Sequence, residues 1–154
     1  MIRSLAPADI PACARLMAAS PLWQRYGVSE SAAAQRFETG LAQNATILVA
    51  EEHGQVAGFV WYVTRGAFNR SGYIMLIGVQ PDRQGQGAGR ALMAAAEQQM
   101  FTQVSDVFLL TSDFNQPAQR FYEHLGYTQI GSIPDYVIPG VTELIFRKHK
   151  PDAA

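Results

Sequence analysis

Gln84-Gly85-Gln86-Gly87-Ala88-Gly89-Arg90 sets three glycines between an apolar run ending at Val79 and an alanine-rich helix former beginning near Arg90. A strand must hand over to a helix here through a turn almost bare of side chains. The first N–H groups of a helix have no partner inside it, and the aligned peptide dipoles leave partial positive charge on them. Glycine removes the Cβ atoms that would hold an anion away from those donors. Arg90 adds a planar, permanently charged fork suited to phosphate oxygens. A glycine-rich turn without a ligand has the same composition. The strand before and the helix after favour a phosphate cradle.

Spacing separates the phosphate-binding alternatives. A dinucleotide fold asks for G-x-G-x-x-G with an acid further on, and Gly85-x-Gly87-x-Gly89 has the wrong interval. A nucleotide P-loop asks for G-x-x-x-x-G-K-S/T, and the chain contains no Gly-Lys pair. The pattern that remains is Gln/Arg-x-x-Gly-x-Gly/Ala, matched by Gln84-x-x-Gly87-x-Gly89.

The rest of the chain is consistent with one domain over residues 1–150 and a short tail over 151–154, since 154 residues can bury a core without disulfide staples. The net charge of −1 supplies no basic field for nucleic acid or an anionic membrane, so an anion site must be local. Cys13 is the single cysteine. It excludes an internal disulfide and a cysteine-rich metal site, fits a reducing cytoplasm, and reads as core packing in an apolar helix. The N-terminus lacks the apolar stretch of a signal peptide. No apolar run approaches the roughly 20 residues of a membrane span.

Periodicity gives the elements. Met1 to Leu5 reads as a short strand, and Pro7-Ala8-Asp9-Ile10 opens a helix with Ile10, Ala14, Leu16 and Met17 available for a buried stripe. Pro21 interrupts it. Ser29 offers a new N-cap, and Ala32 to Gln43 reads as a second helix. Thr46–Ala50 and Val56–Thr64 flank the turn signal His53-Gly54-Gln55 and predict an antiparallel hairpin. After a loop at 68–72, Tyr73–Val79 is apolar enough for the centre of a sheet. The glycine turn and its helix follow, then a strand at Val107–Leu110. A short helix over Pro117–Leu125 can end at a left-handed Gly126. Tyr127–Ile130 and Glu143–Arg147 are the last strands, with a turn at Pro139-Gly140. The order βααβββαβαββ, with consecutive strands in the middle, argues for a mixed sheet.

With these residues in place, the chain resembles the GNAT superfamily of N-acetyltransferases. The resemblance runs through Ile77-Gly78-Val79 and Pro81 into the glycine turn. It continues in Asn115-x-x-Ala118-x-x-Phe121-Tyr122-x-x-x-Gly126-Tyr127, so that it spans residues 73–127. It implies an α/β (α+β) fold with a mixed, mostly antiparallel central sheet flanked by helices. It also implies acetyl-CoA as co-substrate without a metal. In such proteins the strand before the turn holds the pantetheine arm, a role that would fall on Ile77, Gly78 and Val79, with Gly78 suited to a bulge. The turn, Gln84, Gly85, Gln86, Gly87, Ala88, Gly89 and Arg90, would hold the pyrophosphate. Gln84 stands where an arginine is common, so it brings a donor without a charge. Asn115 would touch the pantetheine arm or cap the following helix, and the two roles are compatible. Tyr122 would touch the thioester end of the cofactor and return a proton to the departing thiolate. Phe121 and Leu125 read as core.

One departure stands out. Many relatives carry a glutamate on the central strand or on the strand after the glycine helix. Tyr73–Ile77 and Val107–Thr111 contain no acid. Glu51, Glu52, His53, Asp113, Asp135 and Glu143 are the other titratable candidates for a base, each with a ready structural or solvated role. Trp23 and Tyr26, between the first two helices, could line an acceptor pocket or simply pack, and Pro134-Asp135-Tyr136 could approach it. The acceptor would be a small-molecule amine or a protein amine, and a homodimer is compatible. The missing strand acid keeps open a non-catalytic acyl-CoA-binding module, and a protein-interaction domain is a third, weaker reading.

Overall fold

The computed structural model describes Met1–Asp152, so the end of the expected 151–154 tail lies outside the described residues. The strands are β1 (Ile2–Ser4), β2 (Thr46–Glu52), β3 (Gln55–Ala67), β4 (Ser71–Val79), β5 (Asp106–Ser112), β6 (Thr128–Ile133) and β7 (Glu143–His149). The helices are α1 (Ile10–Ala19), α2 (Pro21–Arg25), α3 (Glu30–Ala42), α4 (Ala88–Met100) and α5 (Gln116–His124). All strands join one sheet in the order β1-β2-β3-β4-β5-β7-β6. Antiparallel pairs predominate, and β4 with β5 is parallel. This is the mixed, mostly antiparallel α/β architecture expected. The addition is α2. Proline is favoured at a first helical position, so Pro21 ends α1 and also starts a short helix.

The chain divides into two compact units, Met1–Tyr62 with Leu76–Ala96, and Val63–Met75 with Glu97–Ala154. In the first, β2 and β3 form the expected hairpin, closed by His53 and Gly54 with φ of 52° and 75°. Consecutive left-handed residues match the twist of a tight hairpin. Ser29 caps α3 by accepting the Ala32 amide at 3.2 Å. The core gathers Cys13, Ala14, Leu16 and Met17 from α1 with Phe37 from α3 and Phe59 from β3. Phe37 meets Phe59 edge-on at 5.1 Å, and Trp23 stacks on Phe59 at 6.1 Å. Burial pushes the Cys13 thiol up to about 12, which makes it an inert packing residue.

Arg3 binds Glu51 through Nε at 2.6 Å and Asp9 through both Nη atoms at 2.7 and 3.0 Å. Asp9 also accepts the Ala6 amide at 2.8 Å, fixing the 3₁₀ turn Pro7–Asp9 ahead of α1. The Arg3 fork holds the Asp9 carboxyl below its ordinary value, against the opposing effect of burial. A depressed carboxyl contributes stability above its unfolded pKa, about 3.9, and loses it as pH falls through the folded value. Asp9→Asn is therefore expected to lower the urea midpoint at pH 7 and to shrink the difference between midpoints at pH 7 and pH 3. An unchanged difference would contradict this linkage.

In the second unit β3 continues to Ala67 and returns through Phe68 and Asn69 (φ 56° and 53°) into β4. Two left-handed residues suffice for that turn, so Ser71 and Gly72, expected in a loop, already belong to the strand. β5 pairs with β7 along its whole length, and β6 pairs with β7 with a register shift between Gln129 and Gly131. Gly126 ends the α5 segment at φ 94°, as its sequence position foretells.

Candidate active site

In the first unit the backbone after β4 is anchored before it turns. The Gln80 amide donates to Ala57 O at 2.8 Å. Arg83, in the 3₁₀ turn Pro81–Arg83, donates to Glu52 at 2.9 Å and Gln55 at 3.3 Å on the β2–β3 hairpin. Gln84 Nε2 reaches back to Val79 O at 3.4 Å, and Gln86 Nε2 to Asp82 O at 3.3 Å. Gly85 and Gly87 stand at φ of 79° and 96°, and a Cβ on either would meet nothing within 4 Å. Backbone conformation, not crowding, demands glycine there, and the space over the turn stays open. α4 begins at Ala88, and Ala91 donates to Gly87 O at 3.0 Å. The amides of Ala88, Gly89 and Arg90 thus precede the first intrahelical bond, the arrangement that suits an anion. The Arg90 side chain is exposed beside them.

Gly78 has a different reason to be glycine. A Cβ there would meet Leu16, Phe59 and Trp23 at 2.8 to 2.9 Å. A Cβ on Gly58 would lie 2.6 Å from the Gly78 carbonyl oxygen. β3 and α1 therefore press directly on the backbone of β4. Ile77 and Val79 beside it are half-buried.

In the second unit the ladder between β4 and β5 comprises Gly72↔Val107, Tyr73↔Phe108 and Ile74↔Leu109. After β5, Asn115 Oδ1 accepts the Ala118 amide at 3.3 Å and caps α5. Gln119 Nε2 ties the helix back to the end of β5 through Ser112 O and Asp113 O at 3.1 and 3.0 Å. This orients Tyr122, which is 7 % exposed and packs against Phe121, Tyr127 and Phe146 at ring distances of 5.3, 6.0 and 6.2 Å. Burial raises its phenol above the ordinary value, so the proton is retained across the physiological range. No buried side-chain polar atom among the described residues lacks a partner.

Four of the titratable candidates for a base have structural partners. Glu51 pairs with Arg3, and Glu52 with Arg83. Asp113 accepts the Thr142 amide at 3.3 Å, and Asp135 accepts the Gly140 amide at 2.7 Å. His53 is the hairpin turn, and Glu143 is buried opposite Ser112. Trp23 is 9 % exposed and packs in the core of the first unit, while Tyr26 is half-buried at the end of α2. The described residues contain no group of three or more His, Cys, Asp or Glu that could hold a metal.

Sequence reasoning passed over one cluster. Glu97, buried near the end of α4, accepts the Tyr127 hydroxyl at 3.0 Å and pairs with Lys148 Nζ at 2.7 Å. Its signal was a carboxylate on a buried stripe, between Met93 and Met100 at helical spacing.

A turn that offers helix amides to an anion, on a mixed sheet of this order, is the frame of an acyl-CoA-dependent transferase. A profile of the acetyltransferase (GNAT) family matches residues 12–127, and the chain belongs to that family. A mycothiol acetyltransferase from Thermobispora bispora is 34 % identical over 90 residues, covering 55 % of this chain and 30 % of that protein. The chain thus spans under a third of that relative's length. Among solved structures, Ard1 from Thermoplasma volcanium has a TM-score of 0.81 at 21 % identity, covering 99 % of this chain and 98 % of that one. The ribosomal-protein-S18-alanine N-acetyltransferase from Escherichia coli has a TM-score of 0.76 at 22 % identity, covering 100 % and 96 %. These two likenesses establish the fold. Among the described residues, no helix is long and apolar enough to cross a membrane.

Proposed function

We propose that residues 1–150 act as a single N-acetyltransferase domain that moves the acetyl group of acetyl-CoA to a primary amine by direct attack within a ternary complex. The observation that carries this reading is the anchored glycine turn, with Gly85 and Gly87 left-handed, open space before them and helix amides behind. Acetyl-CoA supplies the activated thioester. The amides at Gly85–Arg90 bind its pyrophosphate, assisted by the Arg90 fork and the Gln84 and Gln86 donors. The backbone of Ile77, Gly78 and Val79 pairs with the pantetheine arm as an added strand would. Asn115 spends Oδ1 on the helix cap and offers Nδ2 to the same arm. Tyr122 holds its proton until a thiolate leaves and then donates it.

The acceptor is a small-molecule amine, a lysine side chain or a protein N-terminus, met on the side of Trp23 and Tyr26. The names of the relatives allow either kind, since one specifies mycothiol and another a ribosomal protein. Glu51 and Glu52 are held in ion pairs, and neither β4 nor β5 carries an acid in its Tyr73–Ile77 or Val107–Thr111 stretch, which favours an amine that enters uncharged or passes its proton to water. A cytoplasmic location belongs to the same reading, since the single cysteine, Cys13, fits a reducing compartment.

Release of free thiol from acetyl-CoA, followed across a panel of small amines, lysine peptides and free peptide N-termini, tests the activity. Amine-dependent release supports it. Thermal stabilisation by acetyl-CoA without release would identify a binding module instead, because binding to the native state alone stabilises it. Gly87→Val tests the cradle. A branched residue at φ 96° is strained, and its side chain fills the open space, so acetyl-CoA affinity is expected to fall by about tenfold or more. Unaltered affinity, read by calorimetry, would remove the turn from the binding site.

A further inference from the structure

We infer that Glu97, Lys148 and Tyr127 form a positioning device for Tyr122, an inference that rests on the reading of Tyr122 as the proton donor. Tyr127 is held at three points. Its hydroxyl donates to Glu97 at 3.0 Å, Lys148 Nζ stands 5.7 Å over its ring, and its own amide donates to Tyr122 O at 3.0 Å. The Tyr127 ring in turn meets Tyr122 at 6.0 Å and 67°. Phe146 touches Tyr122 from β7, two residues before Lys148, so the two side chains leave the strand on one face. The cluster thus joins the end of α4, the α5–β6 junction and β7 around one phenol.

The chemistry of the cluster argues for placement over stability. A buried ion pair gains little over apolar residues of equal volume, because desolvation offsets the attraction. It does specify geometry. Glu97 and Lys148 neutralise each other, so a carboxylate can direct the Tyr127 hydroxyl without standing as an unpaired charge in the cluster. A leucine at 97 would fill space and leave the Tyr127 ring free to rotate away from Tyr122.

The test is a double-mutant cycle on kcat, measured by thiol release at saturating acetyl-CoA. Tyr127→Phe keeps the ring and removes the hydroxyl. It is expected to lower kcat by about tenfold, with KM for acetyl-CoA within about twofold, as small displacements of a reacting group do. In a Tyr122→Phe background the same change is expected to alter kcat by less than about twofold, because the group being placed is gone. An equal loss in both backgrounds would mean that Tyr127 supports structure only and would overturn the inference while leaving the donor role intact. If Tyr122→Phe alone leaves kcat unchanged, the donor role fails and the positioning role falls with it. Glu97→Leu, which fills the space but removes the acceptor of the Tyr127 hydroxyl, runs through the same cycle with the same outcomes should Tyr127→Phe not fold.

Discussion

Tyr122→Phe is expected to lower kcat by about 10² to 10³-fold, the usual contribution of a placed general acid, while KM for acetyl-CoA changes little. The ring is held by Phe121, Tyr127 and Phe146, and phenylalanine preserves those contacts. Folding and cofactor affinity therefore stay near the parent values, and the loss falls on the chemical step. Burial keeps the phenol protonated well above neutrality, so an alkaline decline of kcat below about pH 9 would have to come from another group. Steady-state kinetics at saturating amine, with calorimetric affinity for acetyl-CoA, separate the cases. A kcat within about threefold of the parent would refute the donor role, since general acids are worth far more.

Gly58→Val is expected to be the most damaging single change to stability. The added Cβ would lie 2.6 Å from the Gly78 carbonyl oxygen and 3.2 Å from Val79 Cα and Leu92 Cδ1. Two of these are backbone atoms of β4, which cannot swing aside as a side chain can. Overpacking of this kind costs about 3 kcal/mol, lowering the melting temperature of a chain this size by roughly 6 to 12 °C. β4 leads directly into the glycine turn, so the displaced backbone also misplaces the cradle, and acetyl-CoA affinity of the folded fraction falls as well. A melting temperature within about 2 °C of the parent would show that β3 and β4 separate more easily than their packing implies.

The parts of this fold legible in the sequence are those encoded locally. The His53-Gly54 hairpin and the Gly126 helix end each depend on neighbouring residues, and each is found where the pattern puts it. The glycine junction is equally local, its strand ending at Val79 as expected and its helix starting at Ala88, two residues before the expected Arg90. Pro21 carries two local meanings, since proline ends a helix and is equally at home in the first turn of the next. Glu97 was hidden by distance, since Tyr127 and Lys148 lie 30 and 51 residues away along the chain. Only the sheet brings such partners together, and no short pattern can announce them. The sequence offers Gly78 as a residue suited to a bulge, whereas the structure shows a position that must be small. The crowding comes from Leu16, Trp23 and Phe59, which lie far from it in sequence.

The choice of Gln84, a neutral residue, at the edge of the turn has a consequence for how the anion is attracted. Most of the donors at Gly85–Arg90 are peptide dipoles in a turn anchored on Val79, Asp82 and Glu52, and Arg90 is the exposed cation among them. Peptide dipoles act over a few ångströms, inside the roughly 8 Å over which physiological salt screens charge. On the proposed reading such a turn captures its ligand by fit at close range, so acetyl-CoA affinity is expected to weaken only slightly as ionic strength rises.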